Sequence, residues 1–383
     1  MTLRTRTRWT TWIPNRFGWV DRSLLGVVVG SVAVVLVAGV VQVSFGAYSM
    51  PIRAAWGAVV DPVVWTNPQF LLRLFLGDGV GTHLARVLGL STAAVELPRE
   101  TLVVWRIRMP RVVVAVLVGA NLATAGAVFQ AVTRNELASP YILGVSSGAG
   151  LAILLTLVVF SGLTRLLPLV AAVGGATAFL LVYAIAWRGG TSPVRLVLAG
   201  VIVSTVFQSL QTGLFLVADD VGVVQTAIAW TTGSLTGVDW EQVRVALPWT
   251  VVALALTVLG SRQLNVLLLG ERTARSLGMR VERTRFGLSA VAILAASTAI
   301  AVGGIVSFVG LVVPHVVRQL VGGDNRRLVV GCAFVGPALM TVADVGARLA
   351  LSPAQIPVGI VTGLVGGPYF LYLMRRTGAL GEL

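Results

Sequence analysis

The sequence predicts an all-α membrane protein of ten transmembrane helices, with the N- and C-termini both cytoplasmic. Three observations predict it. Of 383 residues, 56% are hydrophobic and 11% charged, with a mean hydropathy of +0.89, whereas soluble domains carry about 25% charged residues. Apolar runs near the roughly 20 residues that a helix needs to cross a bilayer recur along the chain. The 29 basic residues, all arginine, outnumber 15 acidic ones and punctuate those runs instead of gathering on one soluble face. That distribution suits topology signals and lipid headgroups, and it argues against nucleic acid as a partner. The single cysteine, Cys332, excludes an intrachain disulfide.

The elements follow in order. Residues 1–23 form a basic tail in which Arg4, Arg6, Arg8, Arg16 and Arg22 alternate with Trp9, Trp12 and Trp19, a pattern for a cytoplasmic segment at headgroup level. The run Leu24–Phe45 exceeds a signal-peptide core of roughly 7 to 15 residues, so it reads as a retained first span. Residues 47–111 are broken by Pro51, Asp61, Pro62, Pro68, Asp78, Glu96, Pro98 and Glu100. They read as an extended external segment with short amphipathic helices over Ile52–Val60 and Phe70–Phe75. Nine further spans are expected: Val112–Val132, Tyr141–Phe160, Leu167–Trp187, Val194–Val217, Val243–Leu264, Phe286–Val302, Ile305–Val321, Leu328–Leu349 and Pro357–Met374. Starting inside, this alternation puts Arg134, Arg188, Arg195, the loop 265–285, Arg326, Arg327, Arg375 and Arg376 on the cytoplasmic side. Arg165, and Arg106, Arg108 and Arg111 of WRIRMPR, fall outside, against the rule; an acidic partner arriving from outside would account for the latter three.

Two breaks differ from simple loops. Within Ala218–Glu241, the apolar piece Val223–Trp230 suits a half-helix dipping toward the bilayer, and Leu351–Gly359 holds two prolines and a glycine. Both are expected walls of a substrate cavity. Small residues such as Gly119, Gly126, Gly303, Gly304 and Gly310 serve close helix packing. Intramembrane polar groups are few: Asn121, Gln130, His315, Asp344 and Arg348. Asp344 and Arg348 stand four apart on one helical face, so mutual neutralisation and a docking role are both open for Arg348. The spans that follow Arg111 and Arg285 share an arginine start and a small-residue-rich body, as an inverted repeat of spans two to five and seven to ten would.

Chemistry is largely absent. There is no GxxxxGK[ST] loop, no HExxH and no CxxC pair. The letters GVSSG at Gly144–Gly148 fit a nucleophile elbow, but they lie in an apolar span and read as helix packing. The longest charged interruption between apolar runs, GERTARSLGMRVERTR from Gly270 to Arg285, stands on the cytoplasmic side.

Four stretches carry a resemblance. RIRMPRVVVAVLVGANLATAGAVFQAVTRNELASPYILGVSSGAG, LGERTARSLG, GGIVSFVGLVVPHVVRQLVGGDNRR and ADVGARLALSPAQIPVGIVTGLVGGPYFLYLMRR resemble, in order, the FecCD family of iron-siderophore, haem and cobalamin ABC importer permeases. The resemblance implies a single permease domain over residues 1–383, non-catalytic and without a cofactor or metal of its own. Its implied partners are a cytosolic ATPase dimer that binds ATP and Mg, a second permease copy or paralogue, an extracytoplasmic substrate-binding protein, and membrane lipid. The implied cargo is an iron chelate, a ferric siderophore ahead of cobalamin or haem, and the implied place is the cytoplasmic (inner) membrane. It places ATPase coupling at Glu271, Arg272, Ala274, Arg275, Leu277 and Gly278, binding-protein docking at Arg108, Arg111 and Arg348, and a cytoplasmic gate at Thr191 and Ser192. The chain departs from the family in three places: Glu136 follows Asn135 where proline is usual, Gln355 stands where glutamate is usual, and the external stretch Ala47–Ile107 is long. An ion-gradient-driven secondary transporter is the competing class. It would need a membrane-embedded carboxylate or histidine cluster, for which Asp344 and His315 are the material at hand.

Overall fold

Seventeen α-helices are found among the described residues of a computed structural model, which covers 19–46, 48, 50–91, 96–188, 190–218, 220–351 and 354–376. Of the basic tail expected over residues 1–23, residues 1–18 lie outside them. The first helix, α1 (Arg22–Ser44), begins where the Asp21 carboxylate accepts from the Leu24 amide, and Arg327, in the first turn of the helix over Asn325–Leu349, donates to that carboxylate and to the Trp19 carbonyl. Its side chains are mostly exposed, as suits a lipid-facing span. Four short helices follow: α2 (Ile52–Val59), α3 (Pro62–Thr66), α4 (Pro68–Leu76) and α5 (Asp78–Val87). The two expected amphipathic pieces correspond to α2 and α4.

The centre of the bundle is one continuous helix of 35 residues, Arg99–Thr133. It comprises α6 (Arg99–Val103), a π-turn at Val104–Arg108, and α7 (Met109–Thr133). Nearly every α7 side chain is buried. Two glycines explain how so many neighbours fit: a Cβ on Gly119 would collide with the Gly336 backbone, and one on Gly126 with that of Gly310. Close backbone approach is what small residues provide in lipid, where no hydrophobic drive separates helix from tail.

The remaining helices are α8 (Val145–Val158), α9 (Leu167–Ala186), α10 (Pro193–Val217), α11 (Val221–Thr232), α12 (Trp240–Leu268), α13 (Glu271–Ser276), α14 (Val281–Gly303), α15 (Val309–Val321), α16 (Asn325–Leu349) and α17 (Val358–Arg376). Seven helices among the described residues are long and apolar enough to cross a membrane: α1, the continuous Arg99–Thr133 helix, α9, α10, α12, α14 and α16. Three of the ten expected spans are instead shorter apolar helices, within α8, α15 and α17. At 14 and 13 residues, α8 and α15 are about 20 Å long, short of the roughly 30 Å hydrocarbon core. The physical reason is shared. Each is entered through a left-handed residue, Gly144 (φ 87°) before α8 and Phe308 (φ 67°) before α15, so the apolar residues just upstream form a turn. Phe308 is an unfavourable residue for that region, and Gly366 of α17 accommodates its side chain where any Cβ would clash.

The two unusual breaks meet. The Ile305 amide donates to the Trp230 carbonyl (2.9 Å) and the Gly359 amide to that of Gly233 (3.1 Å), so the end of α11 is pinned by the loop before α15 and by the start of α17.

Candidate functional site

Two clusters stand at opposite ends of α7. Arg111 sits at its first turn, and Arg134, just past its last, approaches Gly270. The 23 residue steps from Arg111 to Arg134 separate the ends by about 35 Å at the helical rise.

At the Gly270 end, the stretch GERTARSLG forms α13. Gly270 (φ 96°) turns the chain out of α12, and the helix closes when the Gly278 and Met279 amides donate back to the carbonyls of Arg275 and Ala274. That closure requires a left-handed residue, supplied by Gly278 (φ 81°). Ala274 is the anchor, 0% exposed, while Arg272, Arg275 and Leu277 face outward, Leu277 at 64% exposure. A buried small residue thus fixes a short helix that presents one apolar and two cationic side chains.

Behind it lies a polar network that joins three elements. Arg285, on the first turns of α14 and 1% exposed, donates to Glu271 of α13 (2.8 Å), to Glu282 one turn earlier (3.1 Å), and to both the carbonyl and Oγ1 of Thr191. Glu282 accepts in turn from the Thr191 amide (3.1 Å) and Oγ1 (2.8 Å) and from the Tyr183 hydroxyl. The Arg285 hydrogen bond, chiefly, holds the Glu271 carboxyl below the usual glutamate range. Thr191 is buried in the turn between α9 and α10, where it bridges Trp187, and Ser192 is half-buried before Pro193. Two expected features, the coupling stretch and the gate residues, are therefore brought together, and Arg285, Glu282 and Tyr183 are the residues that sequence reading missed. Arg285 opens an apolar run, where an arginine reads as a topology signal; no spacing rule links it to Thr191.

At the other end, Arg108, Arg111 and Arg348 also come together, turned inward. They are 3%, 7% and 9% exposed. Arg108 donates to the carbonyls of Val43 and Tyr48, and Arg348 to those of Gln42 and Phe45. Arg111 grips Asp344 through Nε and Nη2 and gives Nη1 to Gln355 (2.6 Å). The neutralisation considered between Asp344 and Arg348 is thus replaced by one between Asp344 and Arg111. The end of α1 and the chain after it cap Arg108 and Arg348, and Asp344 and Gln355 engage Arg111, so the three are not displayed as a docking surface. Arg106, two residues before Arg108 in the π-turn, is exposed.

Two of the three sequence departures, Glu136 and Gln355, have side-chain partners. Glu136 pairs with Arg318 (3.0 Å) and approaches His315 (3.5 Å), tying the turn after α7 to α15. Gln355 accepts from Arg111 and from the Thr236 hydroxyl. In GVSSG, Ser147 donates to the Gly144 carbonyl within the first turn of α8, and Gly148 packs on Gly174, a helix-packing arrangement.

With this geometry in place, comparison with known proteins gives a consistent result. The FecCD transport family matches residues 34–376. The iron(3+)-hydroxamate import system permease protein FhuG of Bacillus subtilis is 38% identical over 322 residues, covering 82% of this chain and 90% of that protein. The Fe(3+) dicitrate transport system permease protein FecD of Escherichia coli is 40% identical, covering 72% and 85%, and the cobalamin import system permease protein BtuC of Halobacterium salinarum is 41% identical, covering 71% and 73%. Among solved structures, a metal-chelate type ABC transporter in an inward-facing conformation aligns with a TM-score of 0.74 at 26% identity, covering 92% of this chain and 99% of that one. A match of this extent, joined to a bundle of apolar helices, makes the chain a multi-pass membrane protein that belongs to the FecCD transport family.

Proposed function

We propose that this chain is the non-catalytic permease subunit of an ATP-driven importer that carries an iron chelate, a ferric siderophore first among the candidates, across the cytoplasmic membrane by alternating access. One observation carries the reading. A short helix, α13, is anchored by a buried alanine, exposes Arg272, Arg275 and Leu277, and is wired through Arg285 to the turn at Thr191 and Ser192. An exposed patch mounted on a rigid link is what a partner ATPase needs to move the spans.

In this reading the chain crosses the membrane ten times with both ends inside, the short α8, α15 and α17 counting as crossings completed by their flanking turns. The matching left-handed entries to α8 and α15 support an inverted repeat of spans two to five and seven to ten. ATP and Mg belong to the ATPase dimer, and a second permease copy or paralogue completes the pathway. Arg108, Arg111 and Arg348 act in docking as the buried supports of the outer rim, with Arg106 presented to acidic residues of the binding protein. Asp344, fully engaged with Arg111, is poorly placed to serve as the ion-coupling carboxylate of a secondary transporter. The test is uptake of a ferric siderophore into vesicles holding the permease with its cognate ATPase and binding protein: uptake requires internal ATP and persists when ion gradients are collapsed. Uptake without ATP would overturn the reading.

A further inference from the structure

The network behind α13 has an unusual member. Arg285 is buried to 1% exposure, yet it is the hub of three segments that are separate in sequence: α13 through Glu271, the first turn of α14 through Glu282, and the α9–α10 turn through Thr191. A guanidinium is a rigid planar fork, so two of its arms cannot change partners independently. Displacing Glu271 therefore displaces whatever the other arm holds. The second arm holds Thr191 by both its carbonyl and its hydroxyl, and Glu282 clamps the same threonine by amide and hydroxyl. The threonine has no means of staying behind.

A second observation points the same way. The Nε of Arg285 is buried without an acceptor. No protein acceptor faces that edge of the guanidinium, so a rotation of Arg285 would break no Nε bond to the protein. Two accessible arrangements of one packed element are the requirement for passing a conformational signal through a protein.

We infer that Arg285 is the positioning residue that transmits movement of α13 to the turn at Thr191, a role resting on the importer reading above. Neither of the surfaces at its ends needs to change for the link to fail. Lysine keeps the charge but has one point donor in place of a fork, so it can hold Glu271 or Thr191 and not drive one from the other.

The test uses the complete transporter of permease, ATPase and binding protein. A spin label is attached at Arg188→Cys, an exposed position on the turn, the buried Cys332 being out of reach. In the wild-type background the label's mobility changes when ATP replaces ADP. In Arg285→Lys the ATPase still copurifies, the nucleotide-dependent change disappears, and substrate moved per ATP hydrolysed falls at least about tenfold. A residue that only stabilised the fold would alter the label in both nucleotide states alike. Should Arg285→Lys fail to assemble, Thr191→Val, which removes one acceptor of the fork at constant volume, gives a partial loss of the same nucleotide response. Wild-type responses in the assembled variants would overturn the relay. An ATP-independent wild-type complex would instead remove the importer reading, so the two failures are distinguishable.

Discussion

Arg111 and Asp344 form a two-point ion pair between α7 and α16, 233 residues apart in sequence and 2.8 Å apart at their closest atoms, with the carboxylate wholly buried. Breaking a buried pair by removing one partner strands an uncompensated charge and costs about 3–5 kcal/mol, whereas replacing both with apolar groups is often near neutral. Arg111→Met and Asp344→Leu are each expected to lower the midpoint of thermal unfolding in detergent markedly. The double variant should recover most of the loss. Additive losses would show that the two side chains stabilise the fold separately.

Helix packing gives a sharper contrast, because two glycines differ only in what surrounds them. A Cβ at Gly126 would drive into the Gly310 backbone, while one at Gly57, in the exposed helix α2, meets nothing within 4 Å. Overpacking of a close backbone crossing costs about 1–3 kcal/mol, and glycine to alanine in an open helix gains about 0.5–1 kcal/mol. Gly126→Ala is thus expected to destabilise the purified protein and Gly57→Ala to leave it unchanged or firmer, by the same unfolding measurement. Equal effects at the two sites would remove backbone contact as the cause.

Hydropathy made the bundle legible, since a 20-residue apolar run has few other uses, and positions such as Gly119 and Gly126 announced close packing before their partners were known. What it did not convey is where α8 and α15 begin. Ile142 and Leu143, or Ile305 and Val306, are as apolar as the helices they precede, and the turns there are set by φ at Gly144 and Phe308. Pairing across the bundle was equally hidden. Asp344 and Arg348 share a helical face, yet the nearer ligand for Asp344 comes from another helix, and the acceptors for Arg348 are carbonyls at the end of α1. The coupling stretch was legible as a motif, whereas its link to Thr191 depends on three segments meeting at Arg285.

The Glu271–Arg285 contact carries a pH signature. Glu271 titrates below the ordinary glutamate range because Arg285 donates to its charged form. A depressed carboxylate contributes its stabilisation above the unfolded-state range and loses it as pH falls through the lowered value. Titration of Glu271 should therefore leave ATP-driven uptake flat from neutral pH down to mildly acidic conditions. A decline near neutrality that disappears in Glu271→Gln would contradict the assignment.

Leu277 is the most exposed apolar side chain of the coupling stretch, and its neighbour Ala274 is fully buried. Substitution at Leu277 thus tests the surface without disturbing the anchor. An apolar anchor at the centre of a small interface is worth about 2 kcal/mol or more, and an aspartate there would be desolvated against the ATPase without a partner. Leu277→Asp should fold normally, judged by an unchanged unfolding midpoint, while substrate transported per ATP falls by roughly tenfold or more. Ala274→Leu is the complementary variant: it overfills the buried seat of α13 and lowers the unfolding midpoint itself. Normal uptake in Leu277→Asp would show that energy enters the permease elsewhere than α13.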